Sequence, residues 1–470
     1  MDKQKKNILL IICDQLSAQA LPAWGNSFAK TPNINSIVES GVRFNNTFTT
    51  CPLCQPARAS FWTGLYPHQT GVMSNGRQHY VPNLSETIPT LGETFAAGGY
   101  KTVHFGKQHD AGSLRGFDLA PITEREIKNV SAVFPINYDS REDLNTSEQT
   151  IKFLNNYSDK APYFTVADMN NPHDICNWIG KFQHNNKLVK TDCELPPLPK
   201  NLYRDDKDFK KLPLPIQYIC CAHTRQAQIA EWDEEKIRYY LLAYHHYLTR
   251  VDDEIGKILT AVRQRYDKNN TLIVLMADHG DSMCGRWMAT KHTSFYDETV
   301  RVPFVFSGPE IYGKNRSVKG LVSLLDLFPT LCDYAGIKSN IQTEGKSLMP
   351  WLAYKSTDFP HKFVVSQWHT EWGFTIEPGR MIRTEKYKYT HYLEENGEEL
   401  YNLVTDPGEL KNLADNPDYE SVLKEHRNFL ENYVSATKDP YFNLEWNAEK
   451  RWRKHKPGYR NHRGTAAPQQ

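Results

Sequence analysis

The chain has no long hydrophobic run: its longest apolar stretch, Ile8 to Cys13, falls far short of the ~20 residues that cross a bilayer. No secretory leader precedes that stretch, so the expectation is a protein that stays inside unless a leader was trimmed, with no membrane contact. Nor is there a surplus of charge, since 56 Lys plus Arg face 55 Asp plus Glu for a formal net charge of +1. So weak a field gives no reason to expect nucleic acid or a lipid surface as a partner, and any anionic substrate must be recognised by a local group of residues. Cysteine is present but unordered. Nine cysteines, an odd number without regular spacing, do not make a disulfide framework. Internal repeats and low-complexity tracts are missing as well. What is left is a 470-residue chain, long enough for two domains or three.

The densest chemistry lies in Cys51 to Pro67, CPLCQPARASFWTGLYP. Pro56 has the fixed φ that suits a first helical position, which predicts a helix over Ala57 to Leu65 with Cys54 just ahead of its N-terminus. Unpaired N–H groups, the positive end of the helix dipole and the Arg58 guanidinium there favour an anion, or an anionic form of residue 54. Cys54 has other readings: a small buried hydrophobe, a zinc half-site with Cys51, or a redox pair with Cys51. Zinc needs a second ligand pair at similar spacing, which the adjacent Cys220 and Cys221 do not supply.

Four short apolar or β-prone runs each end in polar, ionisable residues. Asn7 to Cys13 runs into Asp14-Gln15, Thr102 to Phe105 into Gly106-Lys107-Gln108-His109, Tyr163 to Ala167 into Asp168 and then Pro172-His173, and Thr271 to Ala277 into Asp278-His279-Gly280-Asp281. Continuous apolar runs mark strands buried on both faces of a parallel sheet, whose carboxyl edge is where open α/β folds place ligands. Helical spacing over Glu234 to Arg265 predicts one of the flanking helices. From about Asp358 the pattern changes to short alternating runs, Phe363 to Ser366 and Tyr387 to Tyr392, and then a helix near Glu420 to Tyr433. The expected fold is therefore α/β: a large, mixed, mostly parallel sheet flanked by helices over residues 1–357, and a smaller antiparallel sheet plus helix over 358–470. Beyond Lys438 a Trp-, Arg- and His-rich tail is expected to wrap back over the body.

Cys54-x-Pro56-x-Arg58-Ala-Ser followed by Thr63-Gly-x-Tyr-Pro67 resembles the signature of the type I sulfatases of the alkaline-phosphatase superfamily, and the strand-end motifs resemble that family's in the same order. The likeness continues through Lys291-His-Thr-Ser-Phe-Tyr-Asp-Glu, Ser323 to Leu331, and Asp406-Pro-Gly-Glu409 to Ala414. The resemblance implies a sulfuric ester hydrolase in which a formylglycine-generating enzyme converts Cys54 to formylglycine. Its hydrated aldehyde would be the nucleophile, held by Arg58 and Lys107. It further implies one divalent cation on Asp14, Gln15, residue 54, Asp278 and His279, a sulfate clamp of Lys107 and Lys291, and His173, His109 or Lys291 as proton donor to the leaving oxygen. Oxygen donors suit Ca²⁺ or Mg²⁺. The chain has Gln15 where the family often has Asp, and His279 where it often has Asn, which opens the site to Mn²⁺ or Zn²⁺. Gln15→Asp is expected to hold Ca²⁺ more tightly, provided the side chain reaches the cation. The expected substrate is a sulfated glycan or its oligosaccharide fragment, with Trp178, Trp287, Trp368, His369, Trp372, Arg77 and His79 as residues that could line a sugar pocket. Two alternatives share the fold: a phosphonate monoester or phosphodiester hydrolase, and a catalytically silent carbohydrate-binding relative.

Overall fold

The computed structural model describes residues 5–75, 82–121, 141–179, 192–203, 211–221, 229, 232–291, 294–339, 341–356, 358, 360–369, 377–393 and 397–444. Nine strands form one sheet: β1 (Asn7–Cys13), β2 (Val42–Phe48), β3 (Lys101–Gly106), β4 (Asp118–Leu119), β5 (Tyr163–Met169), β6 (Thr271–Ala277), β7 (Arg301–Val302), β8 (Phe304–Ser307) and β9 (Arg316–Ser323). The four strands expected from their apolar runs lie side by side in the order β3-β5-β1-β6, and every pairing among them is parallel. β1 is buried at all seven positions because it sits between two such neighbours. Beyond β6 the pairing turns antiparallel, through β8 to β2, while β9 runs parallel to β2.

Register decides what this sheet can do. Cys13 lies opposite both Met169 and Ala277, and Gly106 opposite Asp168. The four strands therefore end level, and their next residues leave the same edge together. Gly106 makes the tight exit to Lys107 at a φ of +97°, and a Cβ there would come within 2.1 Å of the Asp168 carbonyl oxygen, so only glycine fits.

The predicted long helix spans Glu234–Gln264, with Asp233 capping it by accepting from the Lys236 N–H at 2.9 Å. Its apolar positions, Ile237, Tyr240, Leu241, Tyr244, Leu248, Val251, Ile255 and Ile258, are all buried. Helix Cys54–Thr63 starts earlier than predicted: Leu53 is its cap, Cys54 its first residue and Pro56 its third. The correction is physical, because no N–H in the first turn has an intrahelical acceptor and proline is tolerated throughout it.

A separate four-stranded antiparallel sheet runs in the order β10 (Val364–Trp368), β11 (Gly379–Arg383), β12 (Tyr387–Tyr392) and β13 (Glu398–Asn402), followed by helix Glu420–Thr437. Leu423, Leu430 and Tyr433 of that helix pack with Val365, Ile382, Tyr389 and Leu400 of the sheet. The other face joins the body: Val364, Met381, Tyr392 and Tyr401 share a cluster with Phe48, Cys51, Leu53 and Phe295, and the Gln367 N–H donates to the Thr50 carbonyl at 2.7 Å. Of the tail, Asp439 to Leu444 does fold back, with Asp439 paired to Arg380 at 2.7 Å; residues 445–470 lie outside the described residues. None of the described helices is long and apolar enough to cross a membrane.

Candidate active site

The level strand ends deliver Asp14 from β1, Lys107 from β3, Asp168 in β5 with His173 beyond it, and Asp278-His279 from β6. Helix Cys54–Thr63 points its first residue at them. Ligating atoms of Asp14, Cys54, Asp278 and His279 all lie within 4.8 Å of one another, and all four residues are buried. The Cys54 sulfur is 3.2 Å from His279 Nε2, 3.9 Å from Asp14 Oδ1, and accepts from Lys291 Nζ at 2.9 Å. Lys107 Nζ pairs with Asp14 Oδ2 at 2.6 Å. His279 Nδ1 donates to the Gly280 carbonyl at 2.9 Å, which turns Nε2 toward the cluster; against the cost of burial, Asp278 and Cys54 raise the pKa of the ring, so a cation bound at Nε2 would displace a proton.

Arg58 is the hub of this charge group. Its guanidinium donates to Asp278 Oδ2 at 3.0 Å, to Asp14 Oδ2 at 3.1 Å and to both oxygens of Asp168 at 2.5 and 3.1 Å. Asp168 was legible as a strand-end carboxylate, but its bidentate bond to Arg58 and its 3.2 Å contact with His104 Nε2 depend on β3–β5 register. Asp281 was likewise only part of a motif, and its contact with the Gln15 amide comes from the fold.

The electrostatics follow from burial plus these neighbours. Burial and Asp14 oppose ionisation of Cys54, but Lys291, His279 and Lys107 outweigh them and hold its thiol well below the ordinary value. Cys51, three residues away, is pushed far up by burial. Both are free thiols, and only one sits in an electropositive setting. Against the cost of burial, Lys107 and Lys291 hold Asp14 well below the usual carboxylate range, whereas burial and Asp14 push Asp278 up to about 6. Burial, then Lys107 and Lys291, drive His173 well below its usual value, so its imidazole is neutral.

A divalent cation fits this donor set. Two buried carboxylates that repel each other, an imidazole with Nε2 turned inward and the residue-54 atom converge on one point, and a cation there would relieve the repulsion that burdens Asp278. Gln15 is buried beside them, and its side-chain nitrogen is bound to Asp281 at 2.7 Å.

Above the cluster lies a cavity of about 380 Å³ walled by Lys107, His109, His173 and Lys291, and by Asn145 and Gln149 of the helix Glu142–Asn156. His109 thus faces the cavity but stands outside the ligand group. The tryptophans do not line it: Trp178 and Trp287 belong to the main core and Trp368 to the core shared by the two sheets. Arg77, His79 and Trp372 lie outside the described residues.

The sulfatase family profile matches residues 6–337, and that of the N-sulphoglucosamine sulphohydrolase C-terminal region matches residues 285–436. A Delta 4,5-hexuronate-2-O-sulfatase of Bacteroides thetaiotaomicron is 44% identical over 99% of this chain and 96% of its own length. A solved 2-O GAG sulfatase is 43% identical with a TM-score of 0.91, covering 97% of each chain. The phosphonate monoester hydrolase of Agrobacterium radiobacter shares the fold, with a TM-score of 0.74 at 22% identity over 95% of this chain and 99% of that one. By family profile and by identity along nearly its full length, the chain belongs to the sulfatase family and is a sulfuric ester hydrolase of the alkaline-phosphatase-like fold.

Proposed function

We propose that the enzyme removes the 2-sulfate from an unsaturated hexuronate at the end of a sulfated glycan fragment. The reading rests on the 44% identity to a hexuronate-2-O-sulfatase along almost the full length of both chains, and it agrees with a cavity whose wall offers neutral amides to a small polar ring. Hydrated formylglycine, made from Cys54 by a formylglycine-generating enzyme, would supply an oxygen nucleophile where the Cys54 sulfur stands, and one divalent cation, Ca²⁺ as first choice and Mg²⁺ or Mn²⁺ next, would supply fixed positive charge beside it. Asp14, Asp278, His279 and residue 54 would hold that cation, with Gln15 as a neutral oxygen donor.

The chain's own residues divide the remaining work. Lys107 and Lys291 stand at the cavity floor, where they orient a sulfate and offset the charge that builds on its oxygens. Arg58 cannot reach out to substrate while it binds three carboxylates; it keeps Asp14 and Asp278 ionised and in place. Burial and then two facing lysines keep His173 neutral, so an arriving sulfate, by offsetting those lysines, favours its protonated form and prepares it to give a proton to the leaving oxygen. His109 is the second candidate for that transfer. In this reading residues 1–357 carry the chemistry, and the C-terminal unit that starts at residue 358 braces the Cys54 segment through the Gln367–Thr50 contact.

The test is sulfate release, read by ion chromatography, from unsaturated disaccharides that carry sulfate on the uronate O2, on the amino-sugar O6 or on its nitrogen, with phenylphosphonate monoesters as a further arm. Release from the 2-sulfated uronate alone is expected. Faster turnover of another sulfate position or of the phosphonate overturns the assignment.

A further inference from the structure

Gln15 is where this chain departs from the usual acidic residue of its family, and its surroundings explain the neutral amide. It is buried directly after β1 with a left-handed φ of 68°, a conformation that a non-glycine residue keeps only where its neighbours impose it. Its N–H donates to Asp278 Oδ1 at 3.1 Å, and its carbonyl accepts from the Tyr244 hydroxyl at 2.7 Å. The side chain is held at its nitrogen end. Nε2 donates to Asp281 Oδ2 at 2.7 Å, while the Cys176 thiol is the contact at Oε1, at 3.3 Å.

Asp281 is fully buried too, and among the described residues no lysine or arginine pairs with it. Its oxygens instead accept from the Met283 N–H at 2.8 Å and from the Tyr240 hydroxyl at 2.9 and 2.8 Å, beside the Gln15 amide. The Tyr240 hydroxyl has its own proton on Asp281 and so accepts from the Thr290 N–H, at 2.9 Å. Thr290, itself at a positive φ of 59°, is bonded directly to Lys291. One buried carboxylate–phenol pair thus reaches both flanks of the site, holding the side chain of the residue after Asp14 and the backbone of the residue before Lys291.

We propose that Asp281 and Tyr240 are positioning residues of the sulfatase site. They fix the Gln15 amide so that its oxygen serves as a neutral metal ligand, they fix the turn that carries Lys291, and the Asp281 carboxylate requires an amide rather than an acid at position 15. The inference rests on Gln15 being a ligand, as proposed above. An acid in place of the amide would set oxygen against oxygen across the 2.7 Å gap in a buried site, and two anions so placed repel. On this reading a Glu at position 15 loosens the cage rather than tightening it.

The test uses chelator-treated full-length protein titrated with calcium chloride and followed by calorimetry and by the calcium-induced shift in Tm. Tyr240→Phe and Asp281→Asn should each raise the apparent calcium Kd by about tenfold or more, the usual cost of losing a residue that orients a ligand. Gln15→Glu should weaken binding at least as much. The double variant Gln15→Glu/Asp281→Asn exchanges donor and acceptor across the same gap and should recover most of the loss, a rescue that a merely structural role would not produce. Unchanged calcium binding in Tyr240→Phe and Asp281→Asn, a double variant no better than Gln15→Glu, or a wild type that binds no calcium overturns the proposal. Should Asp281→Asn fail to fold, Tyr240→Phe, which removes a single oxygen atom, decides the matter. No substrate enters the measurement, so a wrong substrate assignment and a wrong positioning role fail separately.

Discussion

Among the described residues two buried charge clusters bear comparison, one of which lines a cavity. In the first, Arg58, Lys107 and Lys291 face Asp14, Asp168 and Asp278. In the second, Lys388 of β12 reaches into the body, where its ammonium donates to the Phe295 carbonyl at 2.9 Å and pairs with Asp297 at 2.5 Å and Glu409 at 2.7 Å. Around it Arg286 pairs with Glu298 and lies over the Tyr296 ring at 3.8 Å. Lys388 donates to two acceptors and has a second carboxylate beside it, so its charge is spent within the cluster. Lys291 and Lys107 are different: their contacts converge on Asp14 and residue 54, and their ammonium groups still line an open cavity. A saturated buried charge joins elements together; a buried charge that keeps free valence toward a cavity does chemistry.

Removing the reacting atom breaks the comparison hardest. Cys54→Ala should lower sulfate release by about 10³-fold or more and leave Tm close to wild type, because a small residue still caps into the same helix start. An active Cys54→Ala enzyme would remove residue 54 from the chemistry.

Lys388→Met is the matching break in the sealed cluster. It strands Glu409 and leaves Asp297 with Arg301 at 3.5 Å as its ion-pair partner, and losing one partner of a buried pair costs about 3–5 kcal/mol. Thermal and urea unfolding should show that loss, while kcat per folded molecule stays near wild type. A kcat defect without a stability defect would mean that the second cluster also serves the reaction.

Lys107→Ala and Lys291→Ala should reverse that signature, each slowing turnover by about 10²-fold, the order expected for one transition-state charge donor. Stability should change little, since each leaves Asp14 its other cations. Lys314→Ala and Lys319→Ala, on the exposed approach to β9 and within it, serve as controls and should be neutral; four equal rates would refute the clamp.

Legibility in the sequence followed the same division. β1 and β6 were readable to the residue because a strand buried on both faces must be apolar at nearly every position, and Asp14 and Asp278 stood out as the first charges after such runs. Cys54, Pro56 and Arg58 were readable because their spacing is local. The start of their helix was misplaced by three residues, since proline marks a first turn without fixing its place in it. Asp168 on Arg58, Asp281 on Gln15 and Lys388 on Asp297 join residues 110, 266 and 91 positions apart, and no local pattern carries such pairings. Trp178, Trp287 and Trp368 illustrate the converse: an aromatic residue has the same letter in a core as on a sugar platform, and only packing separates them.

The finest test concerns the proton balance of the sealed cluster. Burial, with Asp297 adding to it, pushes Glu409 up to about 7, against the pull of Lys388. A carboxyl whose folded pKa is raised holds its proton more tightly folded than unfolded, so its contribution to stability is fully present below the unfolded value near 4.5 and is lost as pH rises through about 7. Glu409→Gln keeps an oxygen for the Asp297 N–H, which now donates to Glu409 Oε2 at 2.7 Å, and removes the titration. The stability of wild type relative to Glu409→Gln should therefore fall between pH 4.5 and 7, by on the order of 2 kcal/mol, and level off above. Tm for both proteins across pH 4.5 to 8 reads this difference directly, with every other titrating group common to the pair. Parallel curves would show that Glu409 is ionised throughout, and that Lys388 balances both of its carboxylates even at acid pH.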